Sequence, residues 1–129
     1  MRRISLAGVS FRGGAVLLGQ RRPGTSIGVR WEFPGGKLES DESPEDGLKR
    51  EFQEELGVRI LPLSHFFSGE FTNKGKEYLL KAYWVKLLSA DFSYQQHQRL
   101  EWVSLQDLAN YDLADSDRLI SEYILHFFF

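Results

Sequence analysis

The stretch from Trp31 to Val58, W-E-F-P-G-G-K-L-E-S-D-E-S-P-E-D-G-L-K-R-E-F-Q-E-E-L-G-V, constrains this chain more than any other. Gly35 and Gly36 open it and Gly57 closes it. Between them Ser43-Pro44-Glu45-Asp46 reads as a helix start. A hydroxyl caps the first amides, proline suits the first helical position, and acids in the first turn meet the positive end of the helix dipole. Glycine is the natural residue just past a helix end, so a helix over Pro44–Leu56 is predicted.

The two faces of that helix differ in chemistry. At about 100° per residue, Leu48, Phe52 and Leu56 form an apolar stripe. Glu51, Glu54 and Glu55 form a separate acidic one. Like charges one turn apart destabilise a helix by roughly a few tenths of a kcal/mol per pair. Only Lys49 and Arg50 lie beside them. A solvated acidic face is one reading. The other is a hard divalent cation, which takes carboxylate oxygens and keeps positions open for phosphate and water. Gly47 sits one turn before Glu51. A mid-helix glycine costs about 1 kcal/mol against alanine, so close approach of the preceding loop is expected there.

At 129 residues, 42% apolar and 26% charged, the chain is long enough for one domain with its own core. A net charge of −2 gives no basis for bulk nucleic-acid binding. With no cysteine, disulfides and zinc–thiolate sites are excluded. Met1-Arg2-Arg3 lacks a signal-peptide core behind it, and no apolar run approaches the roughly 20 residues of a membrane span. A cytoplasmic protein without membrane contact is the default expectation.

Along the chain, Ile4–Phe11 and Ala15–Gln20 read as a hairpin of strands around Gly13-Gly14. Trp31–Phe33 reads as a short strand. Val58–Phe71 is expected to be a bent or interrupted strand because of Pro62. Asn73-Lys74-Gly75-Lys76 reads as a hairpin turn, and Glu77–Leu88 as the strand after it. Leu100–Val103 is a further short strand. Ser104–Leu108 is read as a short helix with Ser104 as its cap. Ala114–Asp117 is read as the cap of a last helix running to Leu125. The tail Phe127–Phe129 either packs on the domain or supports self-association, which leaves monomer and homodimer open.

Gly36, Glu42, Arg50, Glu51, Glu54, Glu55 and Gly57, with Phe52 and Val58 at the apolar places, resemble the signature box of the Nudix hydrolases in identity and in spacing. Trp31 to Lys37 further resembles the MutT-like branch, which hydrolyses nucleoside triphosphates. The resemblance implies a single Nudix domain over residues 1–129 with its box at 36–58. It implies an α/β fold of the Nudix type, an α/β/α sandwich with a mixed β-sheet between helices. It implies Mg²⁺ as cofactor, with Mn²⁺ as an alternative, held by Glu51, Glu54, Glu55 and the carbonyl of Gly35. Arg50 would complete the catalytic set by holding the carboxylates in place, since a planar guanidinium suits paired carboxylates. Glu42 would support the loop or a further metal.

The substrate-binding set implied by the same resemblance is Arg22 or Arg21 at a strand end and Lys37 on phosphate. Phe33 at the box entry and Asp115 or Asp117 at the base complete it. One departure stands out. Members of the branch often carry an acid a few residues before a Trp-containing strand. The place matching it here is Gln96, which is no base at neutral pH, and His97 is the nearest titratable alternative. The general base is then expected to be Glu54 or Glu55. The function implied is metal-dependent hydrolysis of a nucleoside triphosphate or oxidised nucleotide to monophosphate and pyrophosphate. Alternatives are hydrolysis of a nucleoside diphosphate-sugar, a dinucleoside polyphosphate or an RNA 5′-pyrophosphate, the last needing a basic groove from Arg2, Arg3, Arg21, Arg22 and Arg30. A nucleotide-sensing module without catalysis is the reading from another class, and it would not need the full set of box carboxylates.

Overall fold

Apolar alternation builds the sheet and two amphipathic helices cover it. The computed structural model describes residues 3–24, 29–89, 91–93 and 97–129. The strands are β1 (Arg3–Arg12), β2 (Ala15–Arg21), β3 (Trp31–Glu32), β4 (Gly35–Lys37), β5 (Ile60–Asn73), β6 (Lys76–Leu87) and β7 (His97–Ser104). The helices are α1 (Pro44–Leu56) and α2 (Asp115–Phe128). All seven strands join one mixed sheet with the central order β3-β2-β1-β6-β5, while β4 pairs with β1 and β7 with β2. The β1–β6 ladder is parallel and the other ladders are antiparallel.

Successive residues of a strand face opposite sides of a sheet, and here each side has its own core. Leu6 of β1, Leu17 of β2 and Tyr83 and Val85 of β6 pack with Leu48, Phe52 and Leu56 of α1. Ala7 and Val9, Val16 and Leu18, and Leu80 and Ala82 pack on the other side with Ile120 and Ile124 of α2. The expected α/β/α sandwich with a mixed sheet is the observed fold. The predicted apolar stripe of α1 is its buried face.

The start and stop signals of α1 act as read. Ser43 Oγ accepts from the Asp46 amide at 3.1 Å. Gly57 takes the left-handed conformation, φ 65°, its amide donating to the Gln53 carbonyl at 3.0 Å while the Val58 amide donates to the Phe52 carbonyl at 3.5 Å. Gly47 has the packing reason anticipated: a Cβ there would come within 2.7 Å of Leu6 Cδ1 and 3.1 Å of Glu42 Oε1 and Leu38 Cδ1. The interruption expected near Pro62 is real. The β5–β6 ladder shifts register between Pro62 and Ser64, and again between His65 and Phe67.

Three local expectations are corrected. The expected helix over Ser104–Leu108 is not formed: Ser104 ends β7, residues 105–107 make a turn, and a single 3₁₀ turn follows at Leu108–Asn110. The Ser104 hydroxyl donates to Asp107 Oδ2 at 3.1 Å, so its hydrogen goes to a side chain within a tight turn. β7 begins at His97, three residues before the expected start, because β2 is long enough to pair with it there. The N-cap of α2 is Ala114, which has no side-chain acceptor, and Asp115 and Asp117 lie within the first helical turn. At the C-terminus Phe128 stacks on Phe11, ring centroids 5.5 Å apart, while Phe127 and Phe129 remain 71% and 76% exposed.

Phe52 is fully buried and its ring sits where a Cβ on Gly8 would fall. Phe52→Ala is expected to lower unfolding stability by about 3–5 kcal/mol in urea titration, as for other buried phenylalanines.

Candidate active site

The segment Pro34-Gly35-Gly36, which opens β4, is fastened to β1 and pressed against α1. The Gly8 amide donates to Pro34 O at 2.8 Å and the Leu38 amide to Ile4 O at 3.0 Å. A Cβ on Gly35 would overlap the Leu6 carbonyl, and one on Gly36 would lie 2.5 Å from the Glu51 carboxylate. Only glycine lets this backbone lie so near the acids.

Arg50 organises the carboxylates. Its Nε donates to Glu42 Oε2 at 2.8 Å and its Nη2 to Glu42 Oε1 at 3.0 Å, a two-pronged contact. Its Nη1 reaches Glu51 Oε1 at 2.8 Å and Glu54 Oε2 at 3.3 Å, and Nη2 also donates to the Lys37 carbonyl at 3.0 Å. Glu42 closes the loop by accepting the Glu39 amide at 3.0 Å. The Arg50 hydrogen bond holds the Glu42 carboxyl below its usual range, and that same bond holds the guanidinium proton more firmly than usual.

Glu55 lies on the inner side, 1% exposed, with Oε2 accepting the Gly35 amide at 3.2 Å. Its Oε1 is buried without a hydrogen-bond partner among the described residues. Burial first, and then the nearby Glu32 and Glu51 charges, push its carboxyl well above the ordinary range. Glu54 sits on the outer side with 55% of its side chain exposed. The acidic stripe thus splits into an exposed member, a half-buried one and a buried one.

Of these groups Glu51 reaches a cavity of about 1130 Å³. Glu51, Gly35, Gly36, Lys37 and Asp115 line it, together with Arg21, Arg30, Lys74 and Lys76, and Phe71 and Tyr78. Of the two arginines left open by the sequence, Arg21 lines the cavity and is ion-paired with Glu32 at 3.5 Å; Arg22 follows β2 and is not among the lining residues. Phe33 is 3% exposed and its ring belongs to the core on the α2 side. Lys37 Nζ stands 5.7 Å from the Tyr78 ring centroid, a cation–π contact. Asp115 pairs with Arg30 at 3.1 Å at the rim. Asp117 is 8% exposed and accepts the Phe33 amide at 2.9 Å. Arg2 and Gln96 lie outside the described residues.

Glu32 is the residue that sequence reasoning passed over. It was visible only as the middle of Trp31-Glu32-Phe33, where alternation turns it away from its two core neighbours. Its carboxylate lies 2.8 Å from His97 Nε2 and, with Glu55, the three side chains bring ligand-type atoms within 4.8 Å of one another. An ionised carboxylate only accepts, so the His97 Nε2–H donates. The other ring nitrogen, Nδ1, is buried without a partner among the described residues. Neither nitrogen is directed to the cavity as a free base.

A helix-held acidic cluster under a glycine turn, facing a cleft lined with cations, defines a phosphate-handling enzyme of the loop–helix box type. The NUDIX domain family matches residues 1–124. The CTP pyrophosphohydrolase of Escherichia coli is 34% identical over 112 residues, 87% of this chain and 83% of that protein. The putative 8-oxo-dGTP diphosphatase 2 of Mycobacterium tuberculosis is 33% identical over 120 residues, 92% of this chain and 84% of that protein. The solution structure of the Escherichia coli ORF135 protein superposes with a TM-score of 0.86 at 31% identity, over 98% of this chain and 91% of that one. A crystal structure of MutT from Methanosarcina mazei gives a TM-score of 0.84 at 26% identity, over 95% and 91%. The chain belongs to the Nudix family and is a MutT-like Nudix hydrolase, an enzyme of the pyrophosphohydrolase kind. No helix among the described residues is long and apolar enough to cross a membrane.

Asp117 generates a pH prediction. Burial first, and then Glu32, push its carboxyl up to about 8, well above the unfolded value of about 3.9. The folded state therefore holds a proton that the unfolded chain has released. Stability from this group is full below the unfolded value and is lost as pH rises through about 8. Asp117→Asn keeps an acceptor for the Phe33 amide. Its unfolding stability is expected to fall less steeply between pH 5 and 8 than that of the wild type, with the remaining slope carried by groups such as Glu55.

Proposed function

We propose that this protein hydrolyses a nucleoside triphosphate, including oxidised forms, to nucleoside monophosphate and pyrophosphate with the help of Mg²⁺, for which Mn²⁺ can substitute. The observation that carries the reading is a cavity lined by the box carboxylate Glu51 and by Gly35 and Gly36, whose walls also supply five basic side chains and two stacked aromatic rings, Phe71 and Tyr78, 5.0 Å apart. The residues fit a hard cation. Their donors are oxygens, Glu55 keeps a buried oxygen without a partner, and Gly36 leaves a slot that a Cβ would fill. Glu51, Glu54, Glu55 and the Gly35 carbonyl would hold the ion. When bound, it neutralises phosphate oxygens and promotes loss of a proton from the attacking water.

The protein's own groups supply position and charge. Arg21, Arg30, Lys37, Lys74 and Lys76 draw in and orient the polyphosphate. Arg50 fixes the box carboxylates without facing substrate. Water adds to phosphorus, the anhydride P–O bond breaks with its electron pair leaving on the departing phosphate, and the water's proton passes to a box carboxylate, Glu54 or Glu55. Phe71 and Tyr78 offer flat apolar surface to a base, which every base accepts. Asp115 and the Asp117–Phe33 contact stand at the base end. The activities named for the Escherichia coli and Mycobacterium tuberculosis relatives support a triphosphate substrate. Arg3 and Arg22 are not among the cavity-lining residues, which disfavours the basic groove that an RNA end would need.

A product-resolved screen of nucleotides with Mg²⁺ or Mn²⁺ tests this. Monophosphate and pyrophosphate are expected from a triphosphate, and binding with no release of phosphate would favour the sensing module instead. Glu51→Gln, Glu54→Gln and Glu55→Gln are each expected to lower kcat, by on the order of 10²–10³-fold for the most severe. Near-wild-type turnover in both Glu54→Gln and Glu55→Gln would sink the metal assignment.

A further inference from the structure

We infer that His97 is a positioning residue: it holds the Glu32 carboxylate beside Glu55 and thereby sets how tightly the cleft takes a divalent cation. The inference rests on the metal-dependent reading just given and adds two residues to its machinery.

His97 is fully buried although its ring is polar. Its ring lies in a slot over Gly19 of β2, where a Cβ would come within 2.6 Å of Cδ2 and 2.9 Å of Nε2. The β2–β7 ladder shifts register between Gln20 and Arg21, and Arg21 is the residue paired with His97. Such irregularities re-aim side chains beside active sites. A leucine would fill such a slot at lower cost if filling it were the only task, because a buried polar nitrogen needs a partner. The one hydrogen bond the ring makes among the described residues is the 2.8 Å contact from Nε2 to Glu32 Oε2.

That contact is the short, dry hold on Glu32. The contact from Arg21 is longer, 3.5 Å, and is made by a side chain 25% exposed. His97 Nε2 also lies 3.8 Å from Glu55 Oε1, the buried oxygen without a hydrogen-bond partner. Glu32 itself lines the cavity. The imidazole therefore keeps a second carboxylate facing the open oxygen of Glu55, where two anions together favour a dication. Without Nε2–H, Glu32 is free to turn toward Arg21 and solvent, and the pair of anions separates.

The test is Mn²⁺ binding to the full chain without nucleotide, followed by electron paramagnetic resonance, with the metal concentration for half-maximal turnover as a second readout. His97→Asn and His97→Leu are expected to weaken Mn²⁺ binding about 10–100-fold, the usual range for loss of a partner behind a metal ligand. His97→Gln places an amide donor near the Nε2 position and is expected to restore most of the loss. Gly19→Ala, which evicts the ring, is expected to match His97→Asn. Glu32→Gln keeps the hydrogen bond but removes the charge, so it too is expected to weaken binding. In a Glu32→Ala background, His97→Asn is expected to add nothing.

Wild-type Mn²⁺ affinity in a folded His97→Leu or in Glu32→Gln overturns the inference. So do the absence of rescue by Gln and additive losses in the Glu32→Ala background. Glu51→Gln, measured in parallel, separates the two levels. If it weakens Mn²⁺ binding and the His97 variants do not, only the positioning role falls. If it leaves Mn²⁺ binding unchanged, the cation reading of the whole cleft falls with it.

Discussion

The crowding of carboxylates against the Gly35-Gly36 turn is the constraint from which the site follows. Arg50 offsets it on one side only. It reaches Glu42, Glu51 and Glu54, all on or near the outer surface of α1. Glu55 and Glu32 lie beyond it, on the inner side, where the dielectric is lower and repulsion stronger. A proton can relieve that side, and the raised Glu55 carboxyl is the sign of it. A dication relieves it more fully. In the function proposed above, that same negative surplus is what favours a polyphosphate carrying a divalent cation.

The sheet is what brings the two halves of this charge balance together. β1 carries the box turn on one edge through β4 and the parallel β6 on the other. β2 carries β3, with Glu32, on one side and β7, with His97, on the other. Glu32 and His97 are 65 residues apart in sequence. They meet across one strand because that strand has a glycine where the imidazole must lie. The helix supplies acids in a rigid row, and the strands supply the residues that decide where the row's inner end points.

What was legible in the sequence divides along this line. The helix Pro44–Leu56, its caps, its apolar stripe and its acidic stripe are local patterns, and each was readable from residue type and spacing. That Arg50 would hold the acids was implied by the resemblance and suits its fork geometry, and its contacts with Glu42, Glu51 and Glu54 agree. Gly47 announced its own close contact by sitting where glycine is costly. Contacts made between strands were not readable in this way. Nothing local marks Gly19 as a seat for His97, and Glu32 is one acid in a two-residue strand. Asp117 read either as a contact to the base or as a helix cap, because acids at a helix start usually cap it. Its carboxylate instead crosses to the Phe33 amide, 84 residues away. Ser104 misled for a related reason: a serine before a polar turn fits a cap and a tight turn equally well.

The two ends of the cavity are built to different standards of rigidity, and this bears on what each can discriminate. The end framed by α1, β1 and β4 is fastened by backbone hydrogen bonds, and its glycines lie where an added Cβ would meet Leu6 or Glu51. Geometry held this firmly suits a common chemical unit, the phosphoanhydride and its metal. The far end is made by the Asn73–Lys76 hairpin tip, the Phe71–Tyr78 stack and the exposed Arg30–Asp115 pair. An ion pair at a solvated rim is worth about 0–1 kcal/mol, and stacking accepts any base. Sharp choice among bases therefore has to come from buried, directional groups. The buried acid nearest that end, Asp117, follows the cavity-lining Ser116, but its Oδ1 accepts the Phe33 amide and its Oδ2 the Ser116 hydroxyl, so both oxygens are engaged in tying α2 to the segment after β3.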